Sequence, residues 1–450
     1  MKAAHKTRTA IGLTMGVFLA AMESTVVATA MPEVIHELGG EHLYALPFSV
    51  YLLTTTVSSP LWGKFSDLYG RKKIYIFGIL LFLLGSTLSG LSDSMQMLIG
   101  MRIIQGLGAG CVTPVTFIMN AEMFSVEKRA KVQGYMSGVW GLAGLFGPVL
   151  GGIIVDLTDW RYVFFLNIPF GIIALILVWE YYKEEISPSL FQLDWQGTIL
   201  FTLGASFLVY GLEIQIWWLI VLGIVFLLLC WLIEKNHPFP LLPVKSMKMR
   251  IPGSTLILNF LAGMSYFGIL AFLPLYVQRV EDKGATAAGL VLTPMVVGWT
   301  ITNIIGGRIL GKISLLGLIQ LGFTILVFGF LGFSVWYDQP VIYLSVCGFV
   351  IGSGMGFGML GTLLSMQEYS DKTELGSSTS GVMFARTIGG SVGVSLLSAI
   401  IGSRLTGNRA FMQEGFLHAY ISCLIIAIIA WIISRRLYLR NAPVNQKQEG

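Results

Sequence analysis

Fourteen apolar runs, each close to the length needed to cross a membrane, follow one another along this chain and leave few other ways to fold it. They lie at roughly 10–31, 46–63, 74–92, 96–119, 132–155, 162–181, 195–212, 216–234, 253–277, 286–305, 315–336, 341–364, 377–402 and 416–434. A span needs about 20 apolar residues to cross ~30 Å of hydrocarbon. Inside that layer each backbone N–H and C=O must be satisfied within the protein, so such runs are expected to be helices. Of 450 residues, 55% are hydrophobic and 12% charged, about half the charged share of a soluble domain. The four cysteines, Cys111, Cys230, Cys347 and Cys423, lie in or near apolar runs without C-x-x-C spacing. They read as small residues of membrane helices, not as a disulfide frame or metal site. Lys2, Lys6 and Arg8 before the first run, and Ala28-Thr29-Ala30 within it, also fit a cleavable leader, but Glu23 would interrupt its apolar stretch.

Charge orients the bundle. With both termini placed in the cytoplasm, 22 of the 29 Lys and Arg fall in cytoplasmic segments and five in outer loops, leaving only Arg102 and Arg386 within spans. That asymmetry is the positive-inside pattern, and it makes the net charge of +5 a matter of topology, not of nucleic-acid binding. The chain also repeats itself. Ser137-Gly138-Val139 before Gly147-Pro148-Val149 is answered, 243 residues on, by Ser380-Gly381-Val382 before Gly390-Ser391-Val392. Gly106-x-Gly108-x-Gly110 is answered by Gly352-x-Gly354-x-Gly356. Two six-helix halves are expected, at 1–186 and 251–436, with an inserted helix pair and linker at 187–250 and a cytoplasmic tail at 437–450. Repeats of this kind hold substrate at their interface near mid-membrane, although glycine repeats also arise from helix packing alone.

No nucleotide site is evident. Gly306-Gly307-Arg308-Ile309-Leu310-Gly311-Lys312-Ile313 has Ile where a phosphate-binding loop needs Ser or Thr, and no strand precedes it. Gly356-x-Gly358-x-x-Gly361 lies inside an apolar helix, where glycines serve packing. Uphill transport by such a chain must therefore draw on an ion gradient.

Between the second and third runs stands Gly63-Lys64-Phe65-Ser66-Asp67-Leu68-Tyr69-Gly70-Arg71-Lys72-Lys73, in which Asp67 and Arg71 are spaced to pair on one helical turn. This loop resembles the G-x-L-x-D-x-x-G-R-[RK] signature of the major facilitator superfamily, with Phe65 in place of the usual Leu. Arg102-x-x-Gln105-Gly106-x-Gly108-Ala109 resembles its R-x-x-Q-G-x-G-A pattern. Ala143-x-x-x-Gly147-Pro148-x-x-Gly151-Gly152 resembles its antiporter signature, with Ala for the first glycine. Met22-Glu23-Ser24-Thr25-Val26-Val27-Ala28-Thr29-Ala30-Met31-Pro32 is similar to the L-D-x-T-[IV]-V-N-x-A-L-P element of the fourteen-helix drug:proton antiporters, with Glu23 for Asp, and Trp160-Arg161-Tyr162-Val163-Phe164-Phe165-Leu166-Asn167-Ile168-Pro169-Phe170-Gly171 strengthens that likeness. The resemblance implies an all-α integral membrane protein of the major facilitator fold.

Glu23 is the acid placed well inside a span, about eight residues, or ~12 Å, from the outer end of the first run. A charge there is expensive and marks a functional candidate. Apolar surroundings oppose the charge, which makes its protonation switchable by an ordinary pH gradient. The expectation is that ionised Glu23 holds a cationic or polar drug and that a proton from outside releases it. The plain alternative is a structural carboxylate paired permanently with Arg102. The resemblance implies that Arg102 tunes the proton site; Arg386, in the second half, is open between binding an anionic group or gating, and a merely snorkelled charge. It also implies that the Gly147, Pro148, Gly151 and Gly152 element seals the cavity during exchange, against the alternative of a structural kink. Gly63, Asp67, Gly70, Arg71 and Glu122 form a candidate cytoplasmic latch. Tyr51, Trp140, Met264, Tyr266, Trp299, Phe357 and Met383 are candidate cavity residues, suited by soft packing and cation–π contact to flat lipophilic cations.

The expectation that results is a monomeric, multi-pass transporter of the bacterial plasma membrane, exporting drugs such as dyes, quaternary ammonium compounds and fluoroquinolones in exchange for protons, without cofactor, metal or enzymatic activity. The alternatives are a dedicated exporter of one metabolite, such as a siderophore or lipid precursor, and a membrane sensor with a lapsed transport fold.

Overall fold

A computed structural model describes residues 3–39, 46–184, 194–213, 216–235, 237, 240–282, 285–310, 312–371, 374–402 and 409–441. Among these residues the chain forms helices throughout, with a single isolated bridge between Leu310 and Ile313. The first half contains α1 (Ala3–Leu38), α2 (Leu46–Tyr69), α3 (Arg71–Gly90), α4 (Met95–Met123), α5 (Val126–Leu157), α6 (Arg161–Phe165) and α7 (Asn167–Tyr181). Then come α8 (Trp195–Glu213), α9 (Trp217–Glu234) and the five-residue α10 (Val244–Lys248). The second half contains α11 (Arg250–Arg279), α12 (Ala285–Ile309), α13 (Leu315–Val335), α14 (Val341–Tyr369), α15 (Leu375–Gly402) and α16 (Arg409–Asn441).

Sixteen helices are found among the described residues where fourteen spans were expected, and the two extra ones have physical causes. The sixth apolar run is divided into α6 and α7 at Leu166. Pro169 has no N–H to give the carbonyl of Phe165, so the hydrogen-bond ladder lapses there while Leu166 keeps helical angles, φ −56 and ψ −28. α10 is a short turn of helix in the linker. Eleven segments among the described residues are long and apolar enough to cross a membrane, with α6 and α7 counted together as Arg161–Tyr181. α1, α2 and α5, at 36, 24 and 32 residues, are of spanning length but fall outside that set. α1 runs well past its apolar stretch, so Glu23 lies 15 residues from its C-terminus instead of eight.

The packing of the first half is repeated in the second. α1 packs on α5 and α7, and α4 on α2 and α3; correspondingly α11 packs on α15 and α16, and α14 on α12 and α13. The two halves meet where α2 lies against α15 and α5 against α12, a pair of contacts related by the same repeat. α8 and α9 form a hairpin that touches α2 and α15 through α8. α9 is the most exposed of the long helices, presenting Trp217, Trp218, Val221, Leu228 and Leu232 outward. Apolar residues on an outer face are what a lipid solvent requires.

Candidate functional site

Glu23 is buried, 2% exposed, and so is Arg102, at 0%. The carboxylate of Glu23 on α1 accepts from Nη1 of Arg102 on α4. Its other oxygen accepts from Asn167 Nδ2 at the start of α7, 2.7 Å away. Asn167 also donates to Ser86 Oγ on α3 at 2.9 Å, and Ser86 donates to Phe164 O at 2.8 Å. Arg102 is held further by Pro47 O at 3.1 Å and Gln105 Oε1 at 2.7 Å. Its guanidinium carbon lies 4.2 Å from the Tyr51 ring centroid and 5.9 Å from that of Phe164. One ion pair thus ties α1, α2, α3, α4, α6 and α7 together. Arg102 Nη2, Gln105 Nε2 and Asn167 Oδ1 have no partner among the described residues, which leaves the network a donor or acceptor to spare if its proton count changes.

This arrangement differs from the expected one in two respects. Glu23 is buried, and the partners of its carboxylate among the described residues belong to the first half. Tyr51 is the face on which Arg102 stacks, not a cavity wall. Asn167 and Ser86 were not anticipated as partners; a lone Asn in an otherwise apolar run was the available signal.

The remaining cavity candidates divide between two places. In the second half, Tyr266 of α11 meets Trp299 of α12 edge to face at 5.0 Å, and Arg386 of α15 has its guanidinium carbon 6.0 Å from the Trp299 centroid. Met264 lies next to them on α11, with its carbonyl against Gly393 of α15. Met383 is 8% exposed, one turn before Arg386. Phe357 is elsewhere: it packs with Ala130, Leu318, Leu360 and Leu364 near the basic end of the molecule, the end that carries the α2–α3 turn. The side chains of Trp140 and Pro148, and Gly152, lie outside the described residues; Gly147 and Gly151 are buried, and α5 continues as helix past them to Leu157. The glycines of α14 act as spacers, because a Cβ on Gly352 would stand 1.9 Å from Met295 O and one on Gly356 2.1 Å from Thr302 Oγ1.

At the basic end the latch candidates do come together, and they join the halves. Arg71 Nη2 donates to Asp67 Oδ1 at 2.5 Å, Arg71 Nε pairs with Glu122 at 2.9 Å, and Arg71 Nη1 donates to Ser66 O at 2.7 Å. Tyr182 Oη donates to Glu122 at 2.9 Å. Asp67 in turn lies against the first turn of α15, facing the backbone N–H groups of Gly376 and Ser377. Burial pushes the Asp67 carboxyl up to about 6, against the pull of Arg71, Lys64 and those two N–H groups. Gly63 crosses α15 closely: a Cβ there would lie 2.6 Å from Gly376 O and 2.3 Å from Ser380 Oγ. Gly70 takes φ +96, a conformation open to glycine and strained for other residues, and so turns the chain from α2 into α3. Beside the latch, Gln367 of α14 meets Arg129 at 3.5 Å and Gln133 at 3.4 Å, both on α5.

The linker is fastened to the same region. Buried Lys64 donates to Pro240 O at 2.8 Å, Glu234 accepts the N–H groups of Leu241 and Leu242 at 2.9 and 2.6 Å, and Glu374 accepts Ser246 N and Oγ, both at 2.9 Å.

Comparison with known proteins agrees with this architecture. The family model described as Major Facilitator Superfamily matches residues 13–394. "Multidrug resistance protein 3" of Bacillus subtilis (strain 168) is 33% identical over 415 residues, 89% of this chain and 81% of that protein. "Multidrug efflux pump SdrM" of Staphylococcus aureus (strain N315) is 28% identical over 453 residues, 98% of each chain. The crystal structure of the human organic anion transporter MFSD10 (TETRAN) superposes with a TM-score of 0.71 at 12% identity, covering 96% of this chain and 100% of that one, a likeness of fold alone. Paired helical halves, the Asp67–Arg71 turn between α2 and α3 and the match along most of the sequence lead to one assignment: the chain belongs to the Major Facilitator Superfamily and is a membrane transporter.

Proposed function

We propose that the protein is a proton-coupled multidrug exporter of a bacterial plasma membrane, working by alternating access. The observation that carries this reading is the Glu23–Arg102 pair, an acid and a base buried together between α1 and α4 in a chain whose relatives are named as multidrug transporters. Buried ionisable groups in membrane helices are costly and mark ion pathways. In this reading the fourteen apolar runs are fourteen spans: 1–186 forms one six-span half, 187–250 the inserted pair and linker, 251–436 the other half and 437–450 the tail. Both termini and the basic end face the cytoplasm, and the chain works as a monomer.

Glu23 takes the proton and the drug binds elsewhere. Ionised, Glu23 holds α1 to α4 through Arg102 and to α7 through Asn167. A proton removes the countercharge of Arg102 and loosens those ties, so the first half can shift against the second. The drug occupies the space beside Tyr266, Trp299 and Arg386, with Met264 and Met383 near by. Proton and drug then communicate through helix movement, not through a shared contact. Gly63, Asp67, Gly70, Arg71 and Glu122 close the cytoplasmic side, and Gly147, Pro148, Gly151 and Gly152 limit leak.

The test is proton release on adding dyes, quaternary ammonium compounds or fluoroquinolones to purified protein in weak buffer. Native protein is expected to release protons in a saturable way, and Glu23→Gln to release none while remaining folded. Release by Glu23→Gln equal to the native protein would remove Glu23 from the proton path.

A further inference from the structure

The two arginines within the spans are housed in opposite ways. Arg102 has been given its acceptors: a carboxylate, an amide oxygen, a backbone carbonyl and two rings. Arg386 stands eleven residues into α15, about 16 Å along the helix and so near the middle of a ~30 Å core. Among the described residues it makes no ion pair and no hydrogen bond, and its one close partner is the Trp299 ring at 6.0 Å. Where Arg102 is fully enclosed, Arg386 keeps intermediate exposure. Protein flanks this place on two sides. The next residue after Trp299 on α12, Thr300, lies against α5 of the first half, where a Cβ on Gly141 would be 2.6 Å from its Oγ1. The backbone of Arg386 is covered by α11, since a Cβ on Gly263 would be 2.0 Å from Arg386 O. The side chain therefore lies on the inner face of the second half, beside an aromatic wall in which Tyr266 meets Trp299 at 80° and Phe267 at 88°.

A guanidinium carries five N–H donors, cannot be discharged near neutral pH and matches a carboxylate in bidentate geometry. Left without an acceptor at this depth it is a site waiting for one. We infer that Arg386 anchors an anionic group, a carboxylate or sulfonate, on the exported compound, while Trp299, backed by buried Tyr266, holds an aromatic body next to it. The inference rests on the efflux reading and narrows it: aromatic acids and zwitterions are the favoured cargo, and lipophilic cations lacking an acid must bind against the charge of Arg386.

The experiment uses the full chain in proteoliposomes with an imposed pH gradient. Three probes are compared: an aromatic carboxylic acid or zwitterion, its methyl ester, and a quaternary ammonium dye. Arg386→Gln is expected to raise the KM for the acid about ten- to a hundredfold, the loss of one charge-assisted contact. The ester is expected to be unchanged and the dye unchanged or improved, and Arg386→Lys is expected to recover part of the acid transport. An equal loss for acid and ester would overturn the inference and make Arg386 a structural or gating charge. If native protein moves none of the three probes in exchange for protons, the efflux reading fails first and this inference with it, an outcome distinct from the previous one.

Discussion

At the scale of single residues, what a buried charge does is decided by the partners the fold supplies. Glu23 and Arg102 could be marked in the sequence because each interrupts an apolar run, and their pairing was one of two readings of Glu23, but a spacing of 79 residues could not choose between them. Asn167 and Ser86 complete the same network from α7 and α3, and Tyr51 underlies it from α2. Asp67 is the residue whose titration has the clearest consequence. It sits beyond the second apolar run, at the basic end of the molecule, with an ordinary value of 3.8 raised to about 6 by burial against α15. A carboxyl whose proton affinity rises on closure gains a proton as the latch shuts. Closure is therefore favoured as pH falls through about 6, fully so below the ordinary value, and that help is lost as pH rises past 6. The difference is on the order of 3 kcal/mol at most. Spin labels at Lys73→Cys and Tyr369→Cys are expected to show the short-distance population growing between pH 7 and 5. Asp67→Asn, permanently neutral, is expected to flatten that dependence; a slope unchanged in Asp67→Asn would assign the titration to another group.

At the scale of elements, proline and glycine set where helices break and how closely they cross. Pro169 divides the sixth run into α6 and α7 through a missing N–H, a break that hydropathy does not register. Glycine spacing in the fifth run and in α14 was legible as packing or hinge, but which neighbour each one admits depends on the crossing. Gly63 is the case that joins the two halves, because across the crossing it meets both Ser380 Oγ and the Gly376 carbonyl, which cannot rotate away. Gly63→Val is expected to leave a folded protein with native helical content that cannot bring α2 onto α15. Its transport rate should drop at least about tenfold, and the label pair at positions 73 and 369 should remain apart at every pH, as expected for overpacking at a tight contact. Native transport by this variant would mean that the α2–α15 crossing need not close during the cycle.

At the scale of the whole molecule, the repeat and the charge pattern make a topology that can be tested directly. The four native cysteines are buried and so are silent to impermeant thiol reagents. Asp338→Cys, exposed between α13 and α14, is expected to label from outside intact cells, and Lys128→Cys, exposed in the first turn of α5, only after permeabilisation. Labelling of Lys128→Cys in intact cells would invert the orientation.

The solvent, the helical class, the doubling of the chain and the glycine-rich turn between α2 and α3 were determined by sequence alone. The hydrocarbon requirement acts on each segment separately, and backbone hydrogen bonds within a helix are local. Which arginine receives an acceptor, which aromatic residue stacks on a cation and which glycine meets a carbonyl were decided only in the tertiary structure. Those contacts join α1 to α4 and α7, α2 to α15, and α12 to α15, and the angles at which helices cross depend on side chains from both partners at once.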